Sequence, residues 1–106
     1  MEREEALFEE CRRLSDVELL RQLEALAASE RGNLVRVLVR LSELEERGLA
    51  REYGFASVFL YCVRKLRYCE SAAFKRTKAA EACRRFPFLL RLLEEGELTL
   101  TALAQL

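Results

Sequence analysis

The chain has 106 residues, 51% of them apolar, with one Pro, four Gly and no His, and its 18 basic residues balance its 18 acidic ones. That length carries one domain with a modest core and leaves no room for a second. Apolar runs such as Phe86 to Leu90 are far too short to span a bilayer, and the N-terminus is acidic rather than a basic-then-apolar signal, so a soluble cytoplasmic protein with no membrane partner is expected. The four cysteines, Cys11, Cys62, Cys69 and Cys83, form no Cys-x-x-Cys pair and have no His to join them. They read as small buried hydrophobes, with no metal, no cofactor and no disulfide framework.

Leu, Ala, Glu and Arg dominate while β-branched and aromatic residues are sparse, which predicts an all-α fold, a small bundle of about five to six helices over 1–106. Residues 4–14 are compatible with a helix, and their charge density predicts fraying across 1–14. Ser15-Asp16-Val17-Glu18 is a capping box, followed by Val17, Leu20, Leu23 and Ala27 at helical spacing, so a first firm helix is expected over 16–28. Gly32-Asn33 interrupts the pattern. Beyond it Leu34, Val37, Leu38, Leu41 and Leu44 form a stripe up to Gly48, predicting a second helix over 33–49 at the centre of the packing.

Residues 50–56 contain Gly54 and read as a connecting loop. Ser57 can then cap a third helix carrying Val58, Phe59, Tyr61, Cys62 and Leu66. After a turn of about three residues at Arg67-Tyr68-Cys69, a fourth helix is expected over 70–85, small-residue-rich inside and basic outside. Pro87 forces residue Phe86 out of helical geometry and suits the first turn of a fifth helix ending at Gly96. Thr99 or Thr101 opens a last helix through Leu100, Leu103 and Leu106. Its apolar repeat stops mid-pattern, which reads as a shortened chain or as a final helix that docks on a partner.

The zero net charge conceals a segregation. Residues 1–31 carry net −4, residues 32–63 balance, residues 64–91 hold nine bases against Glu70 and Glu81 for net +7, and the remainder is −3. A basic block in a neutral chain is the footprint of a polyanion-binding face. Residues 57–85 have helix-turn-helix-like spacing, with Ala73 and Ala80 permitting close packing and Ser71, Lys75, Lys78 and Phe74 directed outward. The candidate DNA-binding residues are therefore Arg64, Lys65, Arg67, Ser71, Lys75, Arg76 and Lys78, and the expected partner is duplex DNA. Solvated helix surface is the bland alternative for the same charges, and any αα-hairpin with a small-residue interface gives a similar pattern.

Leu14-Ser15-Asp16, the helix at 33–49 and the string running from Gly54-Phe55-Ala56-Ser57 through Glu70-Ser71-Ala72-Ala73-Phe74-Lys75-Arg76 to Arg84-Arg85-Phe86-Pro87 resemble the helical region that precedes the nuclease module in bacterial HNH endonuclease-like proteins. Glu70 to Arg85, with the following Pro and the leucine-rich helix ending Glu-Gly-x-Leu, is also similar to the helix-turn-helix unit of ParB-type partition proteins. The second resemblance implies that Ser71, Lys75 and Lys78 correspond to DNA-facing positions. Two departures count against a full carry-over. HNH chemistry needs His, which this chain lacks, and Cys69 stands where the first family tends to have a better-capping Ser.

No catalytic residue is expected. Adjacent carboxylates such as Glu45-Glu46 and Glu94-Glu95 point about 100° apart on a helix and do not converge, no base can activate Ser15, Ser57 or Thr99, and no Gly-rich phosphate cradle occurs. Tyr53, Tyr61, Tyr68, Phe55 and Phe59 read as core and lid aromatics. The reading is thus a non-enzymatic DNA-binding helical domain without a small-molecule substrate. The alternative is a protein-interaction or homo-oligomerisation module in which the acidic N-terminal part of one copy meets the basic half of another.

Overall fold

A computed structural model describes residues 2–106. The order is α1 (Glu2–Arg12), α2 (Asp16–Glu46), α3 (Leu49–Glu52), α4 (Val58–Arg64), α5 (Glu70–Arg85), α6 (Phe88–Glu94) and α7 (Leu100–Leu103), with no strand among the described residues. The all-α expectation holds.

The break expected at Gly32-Asn33 is not there. α2 runs 31 residues without interruption, opened by Ser15, whose Oγ accepts from the Glu18 amide at 3.1 Å. A glycine inside a helix costs about 1 kcal/mol relative to alanine, and at this point tertiary contact offsets it. Arg31 Nε donates to the Glu94 carbonyl at 3.0 Å, and the space where a Gly32 side chain would begin lies 3.5 Å from the Glu94 carboxylate. The end of α6 thus clasps α2 across the position where the helix was expected to stop. α2 terminates instead at Gly48, which takes the left-handed conformation at φ 65°.

Residues 50–56, expected as a loop, begin inside the one-turn helix α3, and the Phe55 amide closes it by donating to the Ala50 carbonyl at 2.8 Å. The Ser57, Pro87 and Thr99 signals act as expected. Ser57 Oγ accepts from the Leu60 amide, Phe86 is extended at φ −134° ahead of Pro87, and Thr99, not Thr101, caps α7 by accepting from the Ala102 amide.

The core is built from Leu38 and Leu41 of α2, Val58 and Cys62 of α4, five small residues of α5, Leu89 and Leu93 of α6, and Leu103 of α7. Centrality is shared between α2 and α5, because α5 packs against α2, α4, α6 and α7. The small side chains of Ala73, Ala79, Ala80, Ala82 and Cys83 allow this, since close approach of four helices leaves no volume for larger ones. Arg84 adds a polar tie between the two helices, with Nη1 donating to Ser42 Oγ at 2.7 Å and Nη2 lying 3.2 Å from Glu46.

Two expectations about burial fail. Cys62 and Cys83 are buried, but Cys11 lies on α1 and Cys69 at the start of α5, both exposed. Phe55, Phe59, Tyr61 and Tyr68 pack against the core, with Phe55 and Tyr61 edge to face at 5.2 Å, whereas Tyr53 on the α3–α4 connection is solvent-facing. On a larger scale α1 and residues 16–30 of α2 contain no buried residue and form an arm beyond the bundle. The Cα radius of gyration is 17.1 Å, against about 13 Å for a compact domain of this length.

Candidate nucleic-acid interface

The basic segment folds into a corner. α4 ends at Arg64, residues 65–69 make the connection, and α5 starts at Glu70. The connection is longer than the three residues expected, and it reverses through Arg67, the one non-glycine among the described residues with positive φ, at 69°. An L-residue in that conformation costs roughly 1–2 kcal/mol. It is held by the Leu66 and Tyr68 amides, which donate back to the Tyr61 and Cys62 carbonyls at 3.2 and 3.1 Å.

Arg64, Lys65 and Arg67 are all exposed on this corner, next to the first turn of α5. Cys69 provides no side-chain cap there, so the leading amides of α5 have no side-chain acceptor at the N-cap. Ser71 and Lys78 are exposed and Lys75 is half-buried on the flank of the helix. Arg76 is placed differently. Two residues from Lys78, it points to the other side of α5, where its guanidinium lies 4.5 Å from the Tyr68 ring centroid and Nη1 donates to the Ala72 carbonyl. Its Nε is buried with no partner. The corner therefore brings Arg64, Lys65 and Arg67 together with Ser71 near the N-terminus of α5, with Lys75 and Lys78 further along, and leaves Arg76 in a bracing position against Tyr68.

The outward face of α5 also carries Arg85, which the candidate set left out. Phe74, Lys78, Glu81 and Arg85 follow one another at helical spacing, all exposed, with Lys78 Nζ 5.8 Å from the Phe74 ring and 3.8 Å from Glu81. Arg85 lies 5.4 Å from the exposed Phe86 ring. Lys78, Glu81, Arg85 and Phe86, together with Phe88 and Leu106, line an open groove of about 450 Å³. The signal in the sequence was the i, i+4, i+7, i+11 spacing from Phe74, on the side opposite the small-residue face.

Lys78, Arg84 and Arg91 each have a carboxylate within 4 Å, but among the described residues Arg64, Lys65, Arg67 and Lys75 form no ion pair. Beneath α5, burial pushes the Cys62 thiol up, against smaller opposing effects of a Thr77 hydrogen bond and the Arg76 charge, and burial likewise raises Cys83. Both are held as neutral thiols, which suits packing rather than nucleophilic chemistry. No group of three or more Cys, Asp or Glu among the described residues is arranged to hold a metal ion, and no helix among them is long and apolar enough to cross a membrane. Comparison with protein-family models, curated proteins and solved structures gives no match for this chain.

Proposed function

We propose that this chain is a DNA-binding helical domain in which the α4–α5 corner, residues 57–85, acts as a helix-turn-helix-like unit on duplex DNA. The observation that carries the proposal is the set of exposed cations at the corner, Arg64, Lys65 and Arg67, with Lys75 further along α5, within a segment of net +7. A cluster of exposed cations in a strongly basic segment projects a field able to displace counterions from a phosphate backbone. Ser71, on the first turn of α5, is short enough to approach a base edge once the phosphates are engaged. Arg76 serves the unit indirectly by bracing Tyr68 and hence the corner.

On this reading the chain binds and does not catalyse, and its resemblance to helical regions ahead of HNH nuclease modules makes it a targeting domain of a bacterial cytoplasmic protein. The test is binding of a fluorescent duplex at low salt by the wild type and by the Arg64→Ala, Lys65→Ala, Arg67→Ala variant. Wild-type binding that the triple variant loses by tenfold or more is expected, with unchanged helicity in circular dichroism. Absence of wild-type binding, or equal binding by the variant, would overturn it.

A further inference from the structure

We infer that Phe74 is the base-reading residue of α5, set to contact the 5-methyl group of thymine in the major groove. The inference rests on the reading of the α4–α5 corner as a duplex-binding unit and adds which chemistry that unit reads. In α5 the usual arrangement of a packed helix is inverted. Its buried positions are Ala73, Ala79, Ala80, Ala82 and Cys83, and the one large apolar side chain among its 16 residues, Phe74, is 52% exposed. A single exposed apolar residue is ordinary on a protein surface, so its place is what matters. Phe74 is the fifth residue of α5, about 6 Å along the axis from the start of the helix. That is the N-terminal part that a recognition helix presents to base edges. Phe74 also lies outside the groove lined by Phe86, Phe88 and Leu106, so no apolar patch of the body accounts for it.

The charges around the ring set which way it faces. At about 100° per residue, Arg85, Lys78, Ser71 and Lys75 fall about 20°, 40°, 60° and 100° to one side of Phe74, and Glu81 and Glu70 about 20° and 40° to the other. A phosphate strand is attracted to the first side and repelled from the second. The ring stands on the line between them, so when the cationic side rests on one wall of the groove, Phe74 is turned to its floor. There a benzene ring has no hydrogen bond to offer. The thymine methyl is the one apolar group that the base pairs display in the major groove, and the other groups are donors and acceptors that a ring would leave unsatisfied. Ser71, one turn before the ring, and Lys78, whose Nζ is 5.8 Å from it, are placed for polar and phosphate contacts before and after it along the helix.

The experiment measures the full chain's affinity, by fluorescence anisotropy at low salt, for two duplexes. One alternates dA and dT, so that every register presents thymine; the other has deoxyuridine in place of thymidine and lacks only the methyl groups. The wild type should bind the thymine duplex roughly fourfold more tightly for each methyl buried against the ring. Phe74→Ala should bind both duplexes alike, with the wild type's salt slope because no charge is removed. Its helicity should be unchanged, because alanine is the better helix former at an exposed position. Any change of duplex shape on loss of the methyl acts on wild type and variant alike, so the difference between them isolates the ring. Equal affinity of the wild type for the two duplexes, or a thymine preference that survives in Phe74→Ala, would overturn this inference and leave salt-dependent binding by the corner standing. Failure of the wild type to bind either duplex would remove the corner reading and this inference together.

Discussion

Gly32→Ala should stabilise the protein. Gly32 lies inside α2 with a helical backbone, and a methyl group there would meet only Glu94 Oε2 at 3.5 Å, an ordinary contact with the end of a flexible side chain. Nothing must move, so the substitution keeps the full difference in helix propensity, about 0.8–1 kcal/mol. At roughly 4–8 °C per kcal/mol for a domain of this size, the melting temperature should rise by roughly 3–8 °C. The gain should register in the global transition, because the preceding residue, Arg31, is hydrogen-bonded to α6. Circular dichroism melts and urea titration measure it, with Gly54→Ala as the control: no atom lies within 4 Å of that position, yet its φ of 93° makes alanine strained. An unchanged or lowered melting temperature for Gly32→Ala would refute a continuous α2, and with it the direction of the arm.

Other outcomes follow from single sites. Arg67→Gly relieves the left-handed strain at φ 69° and should leave stability unchanged or raised by up to about 1 kcal/mol, while weakening duplex binding; a loss of stability would show that the Arg67 side chain holds the corner. Leu38→Ala removes a side chain only 1% exposed at the α2–α5 contact and should cost about 3–5 kcal/mol in urea unfolding, whereas a cost under 1 kcal/mol would mean the core is misassigned. With a chromogenic disulfide reagent near pH 8, Cys11 and Cys69 should react in a fast phase, and Cys62 and Cys83 only on unfolding. Because burial raises the two inner thiols, their contribution to stability is full below the ordinary thiol range and is lost as pH climbs through the raised values, so the alkaline side is where the melting temperature should fall.

Local signals with a physical mechanism translate directly into structure. The Ser15 and Ser57 caps and the stop at Phe86-Pro87 act through covalent geometry or through the few residues beside them. What periodicity cannot reveal is which layer lies opposite. Gly32-Asn33 looks like a break because the contact that outweighs it, at Glu94, is 62 residues away in sequence. The stripe at Val17 to Ala27 has the same spacing as the core stripe at Leu34 to Leu44, yet only the second finds α5 and α6. The same limit applies at the interface. Charge density located the corner, but Arg76 was counted with Lys75 and Lys78 although its direction along α5 puts it beneath Tyr68, and Arg85 with its neighbouring rings went unremarked.

The most direct test of DNA binding through the α4–α5 corner is the salt dependence of duplex affinity, followed by fluorescence anisotropy. Engagement of phosphates by the four unpaired cations, Arg64, Lys65, Arg67 and Lys75, predicts a log-log slope of about −3.6, from about −0.9 per phosphate contact. Affinity that is undetectable at low salt, or that varies with a slope near zero, would contradict the account.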